Sequence, residues 1–93
     1  MNYLLKDPEA VLDYSVDWGA EYLSGDLLAT SSWSVDPQEA GGVTVEATDF
    51  DATTTSVTAA GGVAGRMYRL VNAVALQSGR LDSRSIVLRV EAR

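Results

Sequence analysis

Residues 65–90 read GRMYRLVNAVALQSGRLDSRSIVLRV, two alternating apolar runs around a polar stretch that holds Arg80, Asp82 and Arg84. In the first run Tyr68, Leu70, Asn72, Val74 and Leu76 take every second position; in the second, Ile86, Leu88 and Val90 do the same. Successive side chains of a strand point to opposite faces, so each run reads as a strand with one face in a core. Together they predict a β-hairpin with the charged SGRLDSR at its tip. The remaining sequence bears on whether that tip is a site or only a turn.

The same period of two recurs upstream. LDYSVDW at residues 12–18 puts Leu12, Tyr14, Val16 and Trp18 on one face and Asp13, Ser15 and Asp17 on the other. GAEYLSGD, directly after it, predicts a single helical turn ended by Gly25. LLATSSWSV then offers Leu27, Ala29, Ser31, Trp33 and Val35 as a common strand face, and DPQEAGG stops that strand with a proline and paired glycines. VTVEATDF predicts Val43, Val45 and Ala47 inward, and TTTSVTAA a further short strand. GGVAG at residues 61–65 is read as a turn, because a phosphate-binding loop needs a lysine and a Ser or Thr at a helix start, and here Arg66, Met67 and Tyr68 lead into a strand.

Six or seven short strands with almost no helix predict an all-β fold, an antiparallel immunoglobulin-like β-sandwich with an extended N-terminal arm. The arm covers residues 1–11 and the single sandwich domain residues 12–93. Gly65 and Tyr68, at the mouth of the penultimate strand, match the tyrosine corner of such sandwiches. Tyr14, Trp18, Trp33 and Tyr68 are the predicted core anchors.

A chain of 93 residues suits one domain and leaves little room for a deep cleft. With 46% hydrophobic and 22% charged residues it belongs with folded proteins, not disordered ones. No apolar run approaches the length of a membrane span, and MNYLLKDPEA reaches charge too early for a secretory signal. No membrane partner is expected. The net charge of −6 is unevenly laid out: residues 1–65 hold one lysine against eleven acids, and residues 66–93 six arginines against two acids. Nucleic acid is not an expected partner, since the net charge repels phosphate and no basic patch is interleaved with aromatics. Mutual neutralisation between neighbouring strands accounts for the asymmetry, and attraction between subunits is the alternative.

The chemistry available is narrow. Histidine and cysteine are absent, which removes the commonest general base, the commonest metal ligands and any disulfide. Ser31, Ser32 and Ser34 have no base nearby in sequence. Asp13 with Asp17, and Asp49 with Asp51, lack the ligand spacing of a calcium loop and read as solvated carboxylates. No enzyme activity, cofactor or metal is expected. The tip residues Arg80, Asp82 and Arg84 have two readings, a charge-assisted network that stiffens the hairpin and a dock for a carboxylate of a neighbouring subunit. A candidate partner interface lies on the outward face of the long hairpin, where Met67, Arg69, Val71, Ala73, Ala75, Val87 and Arg89 combine small apolar side chains with arginine. The alternative is that a loop or the N-terminal arm covers that face.

The chain also resembles a family. LLKDPEAVLDYSVDW, GDLLATSSWSV, GGVAGRMYRLVNAV and SGRLDSRSIVLRV occur in the order found in small tailed-bacteriophage proteins described as fiber-tail adaptor proteins. The resemblance covers residues 6–90, and its most specific elements are KDPEAVLDY with Trp18 and the GR-x-D-x-RS string at residues 79–85. It departs at Glu21 and Tyr22, where an apolar or aromatic pair is expected. It implies a non-enzymatic virion structural protein, assembled in the host cytoplasm, that links tail and fibre components as a homo-oligomer in contact with other virion proteins. By the same resemblance Lys6, Asp7 and Pro8 fix the chain's entry into the first strand, while Trp18 and Trp33 plug the two ends of the core. The apolar MNYLL lead-in is expected to reach a neighbour. Capsid decoration is one alternative, and a carbohydrate-binding module using Trp18, Trp33 and Tyr22 as a stacking platform is another.

Overall fold

A computed structural model describes residues 3–92. The chain order is β1 (Leu4–Lys6), β2 (Leu12–Asp17), α1 (Ala20–Leu23), β3 (Leu28–Asp36), β4 (Val43–Phe50), β5 (Thr54–Gly61), β6 (Met67–Leu76) and β7 (Leu81–Val90). One sheet runs β1-β7-β6-β3 and the other β2-β5-β4. All pairings are antiparallel except β1 with β7, which is parallel. Seven strands divided in this way form an immunoglobulin-like sandwich.

The core follows the alternation. Tyr68, Leu70, Asn72, Val74 and Leu76 of β6 are all buried, as are Leu88 and Val90 of β7 and Thr55, Val57 and Ala59 of β5. Two clusters result. The larger holds Val35, Val43, Val57, Ala59, Tyr68, Leu70, Leu88 and Val90, with Tyr14, Trp33, Val45 and Ile86 packed against it. The smaller holds Trp18, Leu23, Leu28, Val74 and Leu76, and closes the end of the sandwich under α1.

Two strand faces differ from the sequence reading, and both differences come from bulges. An extra residue in one strand shifts every later side chain to the opposite face. Between Leu28 and Thr30 the β3 register slips against β6, so Leu28 is buried while Leu27 and Ala29 face outward. Ser31, Trp33 and Val35 keep the inward face. Between Val45 and Ala47 the β4 register slips against β5, and Ala47 is exposed.

The hairpin tip is also corrected. The β6–β7 turn is tighter than expected: Leu76 N–H donates to Arg80 O at 2.8 Å and Gly79 N–H to Leu76 O at 2.9 Å, with Gly79 at φ 96°. That left-handed conformation is open to glycine without penalty and lets the chain reverse in few residues. β7 therefore starts at Leu81, and Asp82 and Arg84 lie on the strand, in register with Val74 and Asn72.

The predicted tyrosine corner is present in its geometry. The Tyr68 hydroxyl accepts the Val63 N–H at 3.0 Å and donates to Glu39 at 2.5 Å. Burial, and then the bond to Glu39, raise the Tyr68 pKa. Beside it Gly62, at φ 116°, leaves no room for a side chain: a Cβ there meets Val90 at 2.6 Å.

Candidate interaction surfaces

From Leu4 the chain is held to its own sheet. Leu4–Lys6, within the stretch expected as an arm, form β1 against the edge of β7. Met1 and Asn2 of the apolar lead-in lie outside the described residues. Lys6 is fully buried, and its Nζ donates to the carbonyls of Asp7 at 3.0 Å, Ala10 at 2.7 Å and Gly61 at 2.7 Å. Burial lowers the Lys6 pKa, with the Asp7 charge acting in the opposite sense. The Asp7 carboxylate accepts the Glu9 N–H at 2.8 Å, which turns the chain at Pro8 toward β2. Lys6, Asp7 and Pro8 are thus a crossover between the two sheets.

Arg80, Asp82 and Arg84 gather at the far end, around Tyr22 of α1 and Trp18 just before it. The rings of Trp18 and Tyr22 are 5.6 Å apart. Arg84 lies over both, and Arg80 sits 6.0 Å from the Tyr22 ring. The Tyr22 hydroxyl donates to Asp82, and that bond raises the Tyr22 pKa and lowers the Asp82 pKa. Arg84 also donates to the Asp17 carbonyl at 3.3 Å. Guanidinium groups stack on aromatic faces, where the ring quadrupole attracts the cation. These charges spend much of their bonding capacity on α1, so the cluster is first of all a seal over the smaller core.

Beneath that seal runs a buried polar network that sequence reasoning placed on the core face without identifying. Asn72 Oδ1 accepts from Trp18 Nε1 at 3.1 Å and from the Thr55 hydroxyl at 2.7 Å. Its Nδ2 donates to Ser31 Oγ and to Ser32 O, both at 3.0 Å. An asparagine inside an apolar alternation is the signal: a buried amide needs partners, and here they come from β3, β5 and Trp18, which directly follows β2. Trp18 is 1% exposed, so it cannot join Trp33 and Tyr22 in a sugar-stacking platform.

The outward face of the four-stranded sheet is open among the described residues. Across it the register sets Arg69 between Val87 and Asp36, Val71 between Ser85 and Ser34, and Ala73 between Ser83 and Ser32. Arg89 is held by Glu91 at 2.5 Å, whereas Arg69 forms no ion pair among the described residues. One ion pair, Arg66 with Glu39 at 3.3 Å, joins the acidic and basic parts of the chain. Asp49 and Asp51 separate: Asp49 lies on β4, while Asp51 accepts the N–H groups of Thr53 and Thr54 in the following turn. No group of three or more acidic residues that could hold a metal ion occurs among the described residues, and no helix there is long and apolar enough to cross a membrane.

What these surfaces define is a small immunoglobulin-like module with charged side chains packed over one end of its core. The chain belongs to the podophage GP4 fiber-tail adaptor protein gp77 family, which matches residues 6–89. It is therefore a member of a family of structural tail proteins of bacteriophages. Among solved structures it is similar to the PKD domain from KIAA 1837 protein, at 15% identity and a TM-score of 0.58, covering 100% of this chain and 83% of that one. That likeness concerns the fold alone. No curated protein matches the chain.

Proposed function

We propose that this protein is a non-enzymatic component of the phage virion that links tail and fibre components through repeated subunit contacts. The observation that carries this reading is the family match over residues 6–89, nearly the whole folded unit. The flat outer face of β6 and β7 supports it: small apolar side chains around Arg69 suit a protein interface, where lysine and acids are depleted. Its partners are other virion proteins, with further copies of the same chain among them.

Copy number tests the reading. Quantitative mass spectrometry of purified particles, against portal and major capsid subunits, is expected to give a ring-sized number. A shell-sized number points instead to capsid decoration, and absence from the particle overturns the structural role.

A further inference from the structure

The outer face of the three-stranded sheet differs sharply in charge from that of the four-stranded sheet. On β2 and β4 the side chains of Asp13, Asp17, Glu46 and Asp49 stand opposite to the core-facing Tyr14, Val16 and Val45. Between them β5 adds only hydroxyls and Ala60 to this face. None of the four carboxylates is ion-paired among the described residues. The opposite side of the sandwich is close to neutral: Arg89 is matched by Glu91, and Arg69, without an ion pair among the described residues, has Asp36 across from it in register.

The acidic face is also indented. At the β4 bulge a recess of about 290 Å³ opens between Asp13 and Asp49, floored by Ser56, Val57 and Thr58. Thr58 donates to Asp13 at 2.5 Å, which fixes one carboxylate at the rim. A guanidinium is planar and pairs with carboxylates through several N–H donors, so a recess with two carboxylates at its rim suits an arginine.

We infer that copies of this chain stack head to tail, the acidic face of the three-stranded sheet receiving the outer face of β6 and β7 from the next copy, with Arg69 entering the Asp13–Asp49 recess. This deepens the proposed function and rests on its repeated subunit contacts. Acidic face against acidic face is repulsive, whereas acidic face against the Arg69 face gives Asp13 and Asp49 a cation as partner. The contact is heterologous, so one pair of faces propagates into a ring or a filament. Limited to three strands, roughly 15 Å across, it belongs to the small and reversible interfaces, which depend on repetition.

The chain has no cysteine, so single thiols report the contact without background. Val71→Cys protein and Ser56→Cys protein, mixed at low ionic strength under mild oxidation, are expected to form a mixed disulfide dimer that neither forms alone. Raising salt to about 0.5 M is expected to reduce its yield at least about fivefold, because the Debye length shortens. Charge reversal gives a second, independent readout. Arg69→Glu and the double variant Asp13→Lys/Asp49→Lys each abolish self-association by sedimentation, and an equimolar mixture of the two restores it. A Val71→Cys protein that cross-links with itself overturns the inference in favour of a two-fold contact, and a monomeric wild type together with no 71-to-56 disulfide in the mixed variants overturns it outright. A ring-sized copy number in particles combined with either result removes this contact and leaves the tail-protein reading standing.

Discussion

The Arg84 guanidinium on β7 lies 4.3 Å from the centre of the Trp18 ring and 5.0 Å from that of Tyr22. A charged residue near the start of β7 thereby covers an aromatic pair contributed by α1 and the segment just before it, and seals the smaller core. Replacing Arg84 by alanine removes both the stacked cation and the cover. The expected loss is about 1 kcal/mol in chemical denaturation. In a Trp33→Phe background the Trp18 emission should shift to the red, and Arg84→Lys should recover part of both effects.

Asn72 holds three strands together from inside the core. Asn72→Ala leaves Trp18 Nε1, Thr55 Oγ1 and the Ser32 carbonyl without their partner, and opens a cavity beside Val74. A loss of about 3 kcal/mol follows, since buried groups left unpaired retain their desolvation penalty. Asn72→Leu should not recover it. Equilibrium denaturation checks both variants.

Lys6 is a buried ammonium whose Nζ donates to three backbone carbonyls. Lys6→Met keeps most of the volume and removes every donor, so its effect isolates the polar contribution. The expected loss is about 3 kcal/mol. Urea unfolding of this variant within about 0.5 kcal/mol of wild type would show that the crossover does not depend on Lys6.

Asp51 supplies the acid dependence. Its carboxylate accepts two backbone N–H groups, which lowers its pKa below the ordinary value of 3.8. A group whose folded pKa is depressed contributes stability that is present above the unfolded pKa and lost as pH falls through the folded one. Asp26, bonded by Ser78, and Asp82, bonded by Tyr22, act in the same sense. Thermal stability should therefore decline below pH 3.8, and Asp51→Asn should flatten that decline while lowering stability at neutral pH. A decline unchanged in the variant would assign it to other carboxylates.

Tyr68 acts at the opposite end of the pH scale. Its folded pKa is raised, so its contribution is complete below the ordinary value of 10.0 and is lost as pH rises through the folded value. Tyr68→Phe leaves the Val63 N–H unbonded and should lower stability by about 1 kcal/mol at neutral pH, with a weaker fall above pH 10 than in wild type. A pH series of melting curves checks it.

The sequence by itself determined the sandwich, because the period of two in β6 and β7 leaves each strand one apolar face that only a second sheet can cover. It also pointed to the turn at residues 61–65, the single helical turn of α1 and the corner at Tyr68, each signalled locally by glycine spacing or by the position of a polar group. Tertiary structure alone decided where the irregular residues went. The bulges that turn Leu27, Ala29 and Ala47 outward depend on the register of a partner strand, which no local pattern encodes. Arg80, Asp82 and Arg84 read as a hairpin tip because they are polar, but the strand continues through Asp82 and Arg84, because α1 brings Trp18 and Tyr22 to meet them. The opposed character of the two outer faces was likewise hidden in a chain whose charges, counted along its length, show only an acidic beginning and a basic end. Packing sorts those charges by face, and it is the faces that meet a partner.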